Sequence, residues 1–368
     1  MAEKPKIRES GIELLRIILM LQVIFLHIGT FSGFETYSQE TGTFQELFYW
    51  MNRLICRCPV YVFVIISGYF SVTSQTTMRN IWKKASNVYL PMIFYSITLT
   101  FVLGVTGVSQ INTYDFVKSF FPLTSRTWYF MSVYLLVLIL SPVVNLALTK
   151  LDKKDFRILL VVLFVLFSIW QNVAKTEPFN TVISVNSVIE TTKGRGLYGF
   201  LFMYILGAYL RLHTKQEEKT TWKYLIIFVL LAAFDGILMY IVRDIPLLKG
   251  YLKIVNYNNA PIAVIQGLFL FLFFRTVRFK SKFINYISSH NLGVYMIHEH
   301  WLMRRTIWDK IFTFFQDPSF YTSPFYPAAT YGVILAIYIS CIIIDIIRAR
   351  IFDLIKKLYE KIKNKKHN

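Results

Sequence analysis

Apolar runs of about twenty residues recur along the chain from Ile12 to Ile347, with short polar stretches between them and no long polar block. Crossing ~30 Å of hydrocarbon takes about twenty mostly apolar helical residues. Ten segments meet or approach that length: 12–31, 54–72, 87–108, 128–148, 158–174, 197–212, 224–242, 260–277, 289–308 and 326–347. The pattern predicts an all-α, polytopic membrane helix bundle of about ten transmembrane helices. It forms one membrane-embedded domain over 1–347, followed by a basic tail over 348–368. The sixth segment is short. The ninth is interrupted by His298, Glu299, His300, Arg304 and Arg305, so these two are the candidates for a tilted or broken helix. The first segment is too long for a signal-peptide core and lacks a small-residue cleavage site, so it reads as a retained span.

Composition agrees: 55% of residues are hydrophobic and only 17% are charged. A soluble domain with a solvated surface does not carry that balance. Charge adds the orientation. Short cytoplasmic loops accumulate lysine and arginine, and ten spans with both termini inside put 26 of the lysines and arginines in cytoplasmic segments, against 12 outside. The predicted arrangement is therefore a multi-pass protein of the cell membrane with cytoplasmic N- and C-termini. Orientation explains most of the net charge of +19, so nucleic acid is not needed as a partner. Membrane lipids are, because the tail can lie against anionic headgroups. Cys56, Cys58 and Cys341 fall in or beside spans, and neither a disulfide nor a metal is expected.

Two costly residues then stand out in the first span, Arg16 and His27. Eleven helical steps return to within roughly 20° of the starting direction and climb roughly 16 Å, so both face one side of the helix. Ionisable groups within a span face a protein interior or a wet cavity and mark candidate sites. Glu13 lies one turn before Arg16 and can pair with it. Arg16 snorkelling to headgroups, with His27 bonded to a neighbouring helix, is the plainer reading. Catalysis by His27, which can take a proton from a hydroxyl or accept an acyl group, is the sharper one.

Further along, Ser67-Gly68 in the second span reads either as a packing notch or as part of a cavity wall. Arg79, Lys83 and Lys84 precede Pro91, where cations at a helix start can hold phosphates. The positive-inside rule alone also accounts for them. Trp128-Tyr129 opens the fourth span as an aromatic belt would. His298 and His300 are two residues apart and diverge on a helix, which argues against both binding one metal; either can line a cavity.

Together these pieces resemble acyltransferase family 3 of integral membrane proteins, over most of the chain. The most specific match is the family's arginine, ten residues, histidine motif, here Arg16 to His27. Supporting matches follow in order: Phe63 to Tyr69 with its Ser-Gly, the basic stretch before Pro91, Trp128-Tyr129 with Pro142, Leu206-Gly207-Ala208-Tyr209, and Gly293 to His298. Departures exist. The family's paired arginines after the second span are here Arg79 with Lys83 and Lys84, and Arg126 and Thr127 stand where a histidine often precedes the Trp-Tyr pair. No fused extracytoplasmic hydrolase-like domain is expected, because the chain ends soon after the last span.

The resemblance implies transfer of an acyl group, usually acetyl, from cytoplasmic acyl-CoA to a hydroxyl of an envelope polysaccharide or similar acceptor. It makes His27 and Arg16 the catalytic residues, with Arg16 in an inner vestibule and His27 farther out. Arg79, Lys83 and Lys84 would bind the phosphates of acetyl-CoA, which acts as the acyl donor. Glu13, Ser67, Trp128, Tyr295 and His298 are candidate cavity-lining residues. A transporter or flippase of a glycan precursor is the competing expectation.

Overall fold

The computed structural model describes residues 9–31, 44–74, 78–125, 127–173, 193–242, 245, 257–309, 313 and 317–365, and the described part is all-helical. Seven stretches are long and apolar enough to cross a membrane, and two shorter apolar helices accompany them. The bundle is ordered by burial. The first span is 61% buried and Leu47–Ser71 67%, whereas Lys153–Val173 and Trp222–Met239 are only 22% buried. The former lie at the centre, and the latter turn most of their apolar surface outward.

Helix α1 (Ser10–Phe31) lies between two packed halves. Its early residues Ile12, Leu15 and Leu19 share a core with α3 (Pro59–Ser71), α8 (Leu197–His213) and α10 (Pro261–Thr276). Its later residues Val23, Ile24 and Ile28 share another with α4 (Met78–Val105), α6 (Tyr129–Leu148), α12 (Asn291–His298) and α14 (Tyr326–Lys365). The tightest crossing is α3 on α8. A Cβ on Gly68 would run into the Tyr204 carbonyl, and one on Gly207 into that of Ile65. Small residues at the crossing let the two backbones meet, the main source of close packing between helices in lipid.

The elements follow the apolar pattern except where local chemistry intervenes. The second span begins at Pro59 rather than residue 54, because proline is suited to the first helical position. Ahead of it, α2 (Phe44–Ile55) forms in a stretch expected to be loop, exposing Phe44, Leu47 and Met51 while burying Gln45, Phe48 and Tyr49. A second short helix, α5 (Thr113–Ser119), is held by a capping box between Asn112 and Asp115. Helix α7 (Lys153–Phe164) continues through a π-helical turn, Val165–Trp170, to Val173. Asn259 satisfies that turn, donating from Nδ2 to the Phe167 carbonyl (2.9 Å) and accepting at its own carbonyl from Ser168 (2.8 Å). Helix α9 (Trp222–Val242) packs on α10 and α2.

The ninth segment is broken. A short amphipathic helix, α11 (Lys282–Ser289), leads into α12, which ends at His298 and is about 12 Å long, too short to cross. The chain turns at Glu299 and His300, resumes with a π-helical turn, Met303–Trp308, and forms a one-turn helix, α13 (Pro318–Tyr321), before the last helix. By contrast α14 runs unbroken across residue 347, about 60 Å in all, so the basic tail continues the last helix.

Hydrogen bonds between distant segments give the bundle two ends. At one, Ser10 meets Ser281 and Asn285, Asn145 reaches the Ser71 carbonyl, and the buried Arg275 donates to Thr214 (2.6 Å). At the other, Tyr61 donates to the Gly194 carbonyl (2.9 Å) and Tyr331 to Asn52. Each pair joins segments that the charge pattern assigns to the same face. The first is the basic end.

Candidate active site

His27 lies one turn before the end of α1, away from the basic end, and the break after α12 delivers its partners. His27 Nδ1 is 3.1 Å from His298 Nε2 and 3.0 Å from Glu299 Oε2. His298 Nδ1 is 2.6 Å from the Val294 carbonyl. A carbonyl only accepts, so His298 carries its proton on Nδ1 and presents the Nε2 lone pair to His27. His27 Nδ1 therefore faces an acceptor nitrogen and a carboxylate and carries the proton that donates to His298. This tautomer makes Nε2 the basic nitrogen of His27.

The supports are themselves fixed. Arg304 Nη1 lies 3.3 Å from Glu299 Oε1, the Trp308 indole donates to the His298 carbonyl (2.7 Å), and the Tyr295 ring stands edge-on to His298. His298 and Glu299 are nearly completely buried, while His27 is half-buried and lines a pocket. Thr30, Trp50, Arg53, Tyr129, Arg195 and Asn258 share the lining. These residues come from segments at the end opposite the basic loops, so His27 is approached from that end. His27, His298 and Glu299 also bring metal-ligand-type atoms within 4.8 Å of one another. Within the cluster His27 and His298 are joined by their ring nitrogens and Arg304 meets Glu299 Oε1, while Glu299 Oε2 faces His27.

The other sequence candidates are distributed along the bundle. Arg16 Nη1 pairs with Glu13 Oε1 at 2.7 Å, and Glu13 Oε2 accepts from Ser288 Oγ at 2.6 Å, so Arg16 is held near the basic end about 16 Å from His27. Lys83 and Lys84 are exposed in the first turns of α4, with Lys84 Nζ 3.3 Å from Ser74 Oγ. The side chain of Arg79 lies outside the described residues. Ser67 bonds the Phe63 carbonyl and Tyr134 Oη, both at 3.0 Å. Trp128 is buried against His300, and its neighbour Tyr129 lines the pocket. Tyr295 is buried between Phe130 and His298. Thus His27, His298 and Tyr295 come together, while Arg16 and the lysines form a separate region.

Sequence reasoning did not assign Glu299, Arg304 or Arg195 a role. The available signal for the first two was the run of ionisable residues interrupting the ninth apolar segment. Arg195 gave none beyond being an arginine on the less basic side.

Comparison with known proteins gives the family. A family model described as Acyltransferase domain matches residues 9–357. Two proteins from Staphylococcus aureus are similar to the chain, both named "Probable poly-beta-1,6-N-acetyl-D-glucosamine export protein". One, from strain Mu50 / ATCC 700699, is 24% identical over 298 residues, covering 77% of this chain and 79% of the relative. The other, from strain MRSA252, is 23% identical over 299 residues, with the same coverage. No solved structure matches the chain significantly. With the match running from the start of α1 into α14, the chain belongs to the acyltransferase 3 family.

Proposed function

We propose that this protein is a membrane O-acyltransferase that moves an acetyl or other short acyl group from cytoplasmic acyl-CoA to a hydroxyl of an extracytoplasmic envelope polysaccharide. The observation that carries this reading is His27, its Nδ1 anchored by His298 and Glu299 and its ring lining a pocket at the end opposite the basic loops. The basic end is cytoplasmic by the positive-inside rule. The protein then sits in the cell membrane with His27 towards the outside.

Coenzyme A carries several negative charges and does not enter hydrocarbon, so its nucleotide stays at the basic end. There Arg79, Lys83 and Lys84 hold phosphates, and Arg16 lines the vestibule through which the thioester enters. At the other end, His27 Nε2 takes the proton of the acceptor hydroxyl as the oxygen attacks the thioester carbonyl. The C–S bond breaks and CoA leaves as the thiol, with the proton returned through the imidazole. In the second version Nε2 itself attacks the thioester and CoA leaves as the thiolate; the hydroxyl oxygen then attacks the acetyl-imidazolium carbonyl, the C–N bond breaks to release the imidazole, and the hydroxyl proton passes to the thiolate. Both need the same nitrogen. In both, Glu299 stabilises positive charge that develops on the ring, as a buried carboxylate does for a catalytic histidine.

Export of a glycan without acyl transfer is the second reading, favoured by the names of the Staphylococcus aureus relatives. One comparison separates the two. Envelope glycans from cells with and without the gene are analysed for ester-linked acyl groups, and the purified protein is assayed for acceptor-dependent CoA release. Acyl transfer predicts loss of esters without the gene, and CoA release that stops in His27→Ala. Wild-type turnover by His27→Ala would rule out both versions of the mechanism, and unmodified glycan moving with no CoA released would favour export.

A further inference from the structure

The wall of the pocket that exposes His27 holds three arginines, Arg53, Arg57 and Arg195, and among its described residues no carboxylate. The positive-inside rule does not explain them, because they lie at the end opposite the basic loops. Arg57 is buried and its charge is met by Asp235, which is behind it on α9 and itself fully buried. Arg53 lies 5.8 Å from the Tyr49 ring centroid. Arg195 is exposed, forms no carboxylate ion pair within 4 Å among the described residues although its charge also acts on Glu299, and lies over the Tyr129 ring at 5.5 Å.

Arg195 is also placed by construction. It follows a turn in which Lys193 and Gly194 have positive φ values of 58° and 78°. A Cβ at Gly194 would meet Tyr61 Oη and Asn259, so this turn needs glycine both for its φ and for space. The Tyr61 hydroxyl holds the Gly194 carbonyl, and the Asn258 backbone N–H donates to the Lys193 carbonyl (3.2 Å). Asn259 is in turn locked into the π-helical turn of α7. The turn fixes the backbone from which a guanidinium reaches the pocket. Fixed guanidinium groups at a partly desolvated site suit carboxylate and phosphate.

We propose that this pocket is an anion subsite: an anionic group, carboxylate or phosphate, is held by Arg195, with Arg53 beside it, while the hydroxyl meets His27. This rests on the acyl-transfer reading and narrows its substrate class. The charge arrives either on the acceptor, as an acidic glycan, or on the acyl group. A glycan rich in free amines is disfavoured by the same arginines.

The test reads binding rather than turnover. Purified full-length protein is titrated with trigalacturonate and with its carboxyl-reduced neutral counterpart, and separately with malonyl-CoA and acetyl-CoA. In one arm the anionic member should bind at least about tenfold more tightly than its neutral partner, a preference that weakens as salt rises. Arg195→Gln should abolish that preference and Arg195→Lys retain part of it. Lys118→Gln, a cation near Trp301 outside the pocket lining, should leave it unchanged. Preference in the trigalacturonate arm assigns the anion to the acceptor, and preference in the acyl-CoA arm assigns it to the acyl group. No preference in either arm, or a preference that survives Arg195→Gln, overturns the proposal. Failure of the acyl-transfer reading registers elsewhere, as absence of CoA release.

Discussion

The two ends of α1 hold their ionisable side chains in opposite ways. At the basic end Arg16 is met by Glu13 from its own helix, and Glu13 is met again by Ser288, so the cation is paired with a buried carboxylate that is itself held. At the other end His27 Nδ1 is met by a distant broken helix, and its ring lines a pocket. A closed pair steadies a helix and presents a fixed charge. An anchor on Nδ1 fixes the tautomer and makes Nε2 the basic nitrogen. The contrast suits a division of labour in which the basic end receives the donor and the far end carries out the transfer.

The largest expected effect is at His27. Replacing it by alanine or asparagine removes the basic nitrogen and should lower acyl transfer by about 10²–10⁴-fold, the usual worth of a positioned acid–base group. Donor binding should persist, which equilibrium titration with acetyl-CoA checks. Equal donor binding with equal turnover would erase the distinction between the ends.

Next come the anchors. Glu299→Gln and His298→Ala release the His27 ring from its orientation, and misplacement of a catalytic group by about 1 Å costs about 10²-fold. The loss should appear mainly in kcat. A pure KM effect would place these residues in substrate binding instead.

How much of this was legible beforehand differs by element. Nine of the ten apolar segments correspond to helices because a sustained apolar run satisfies its backbone polar groups as a helix, although α3, α8 and α10 are shorter than a full span and α14 is far longer. The facing of Arg16 and His27 followed from helical periodicity. His298 was recognisable as a buried histidine, but its contact with His27 was not, since 271 residues separate the two and the meeting depends on a helix that stops at His298. Helices α2 and α5 were hidden in polar connecting segments because they are short and amphipathic or capped. Arg195 owes its position to a positive-φ turn and to Asn259 filling a π-helical bulge, and neither leaves a pattern in a single sequence.

Smaller effects sharpen the basic end. Arg16→Ala removes the cation paired with the buried Glu13 and should destabilise the protein by about 1–3 kcal/mol, seen in thermal unfolding. Glu13→Gln combined with Arg16→Gln should recover part of that loss. If Arg16 also lines the donor vestibule, KM for acetyl-CoA rises in both variants even where stability returns. The mildest change is expected for Lys83→Ala with Lys84→Ala. These exposed cations should raise KM for acetyl-CoA a few-fold at low salt and hardly at all at high salt, because exposed charges are screened. A comparable loss at both salt concentrations would mean direct contact with the donor.

The central claim is that a donor on the basic side acylates an acceptor on the other side through His27. Its most direct measurement uses oriented proteoliposomes, with acetyl-labelled acetyl-CoA on the basic side and a hydroxyl-bearing oligosaccharide confined to the opposite side. Wild-type protein should place label on the confined oligosaccharide and release CoA on the donor side in equal amounts, and His27→Ala should do neither. Label on the oligosaccharide with His27→Ala at the wild-type rate, or oligosaccharide crossing unlabelled without CoA release, would contradict the account.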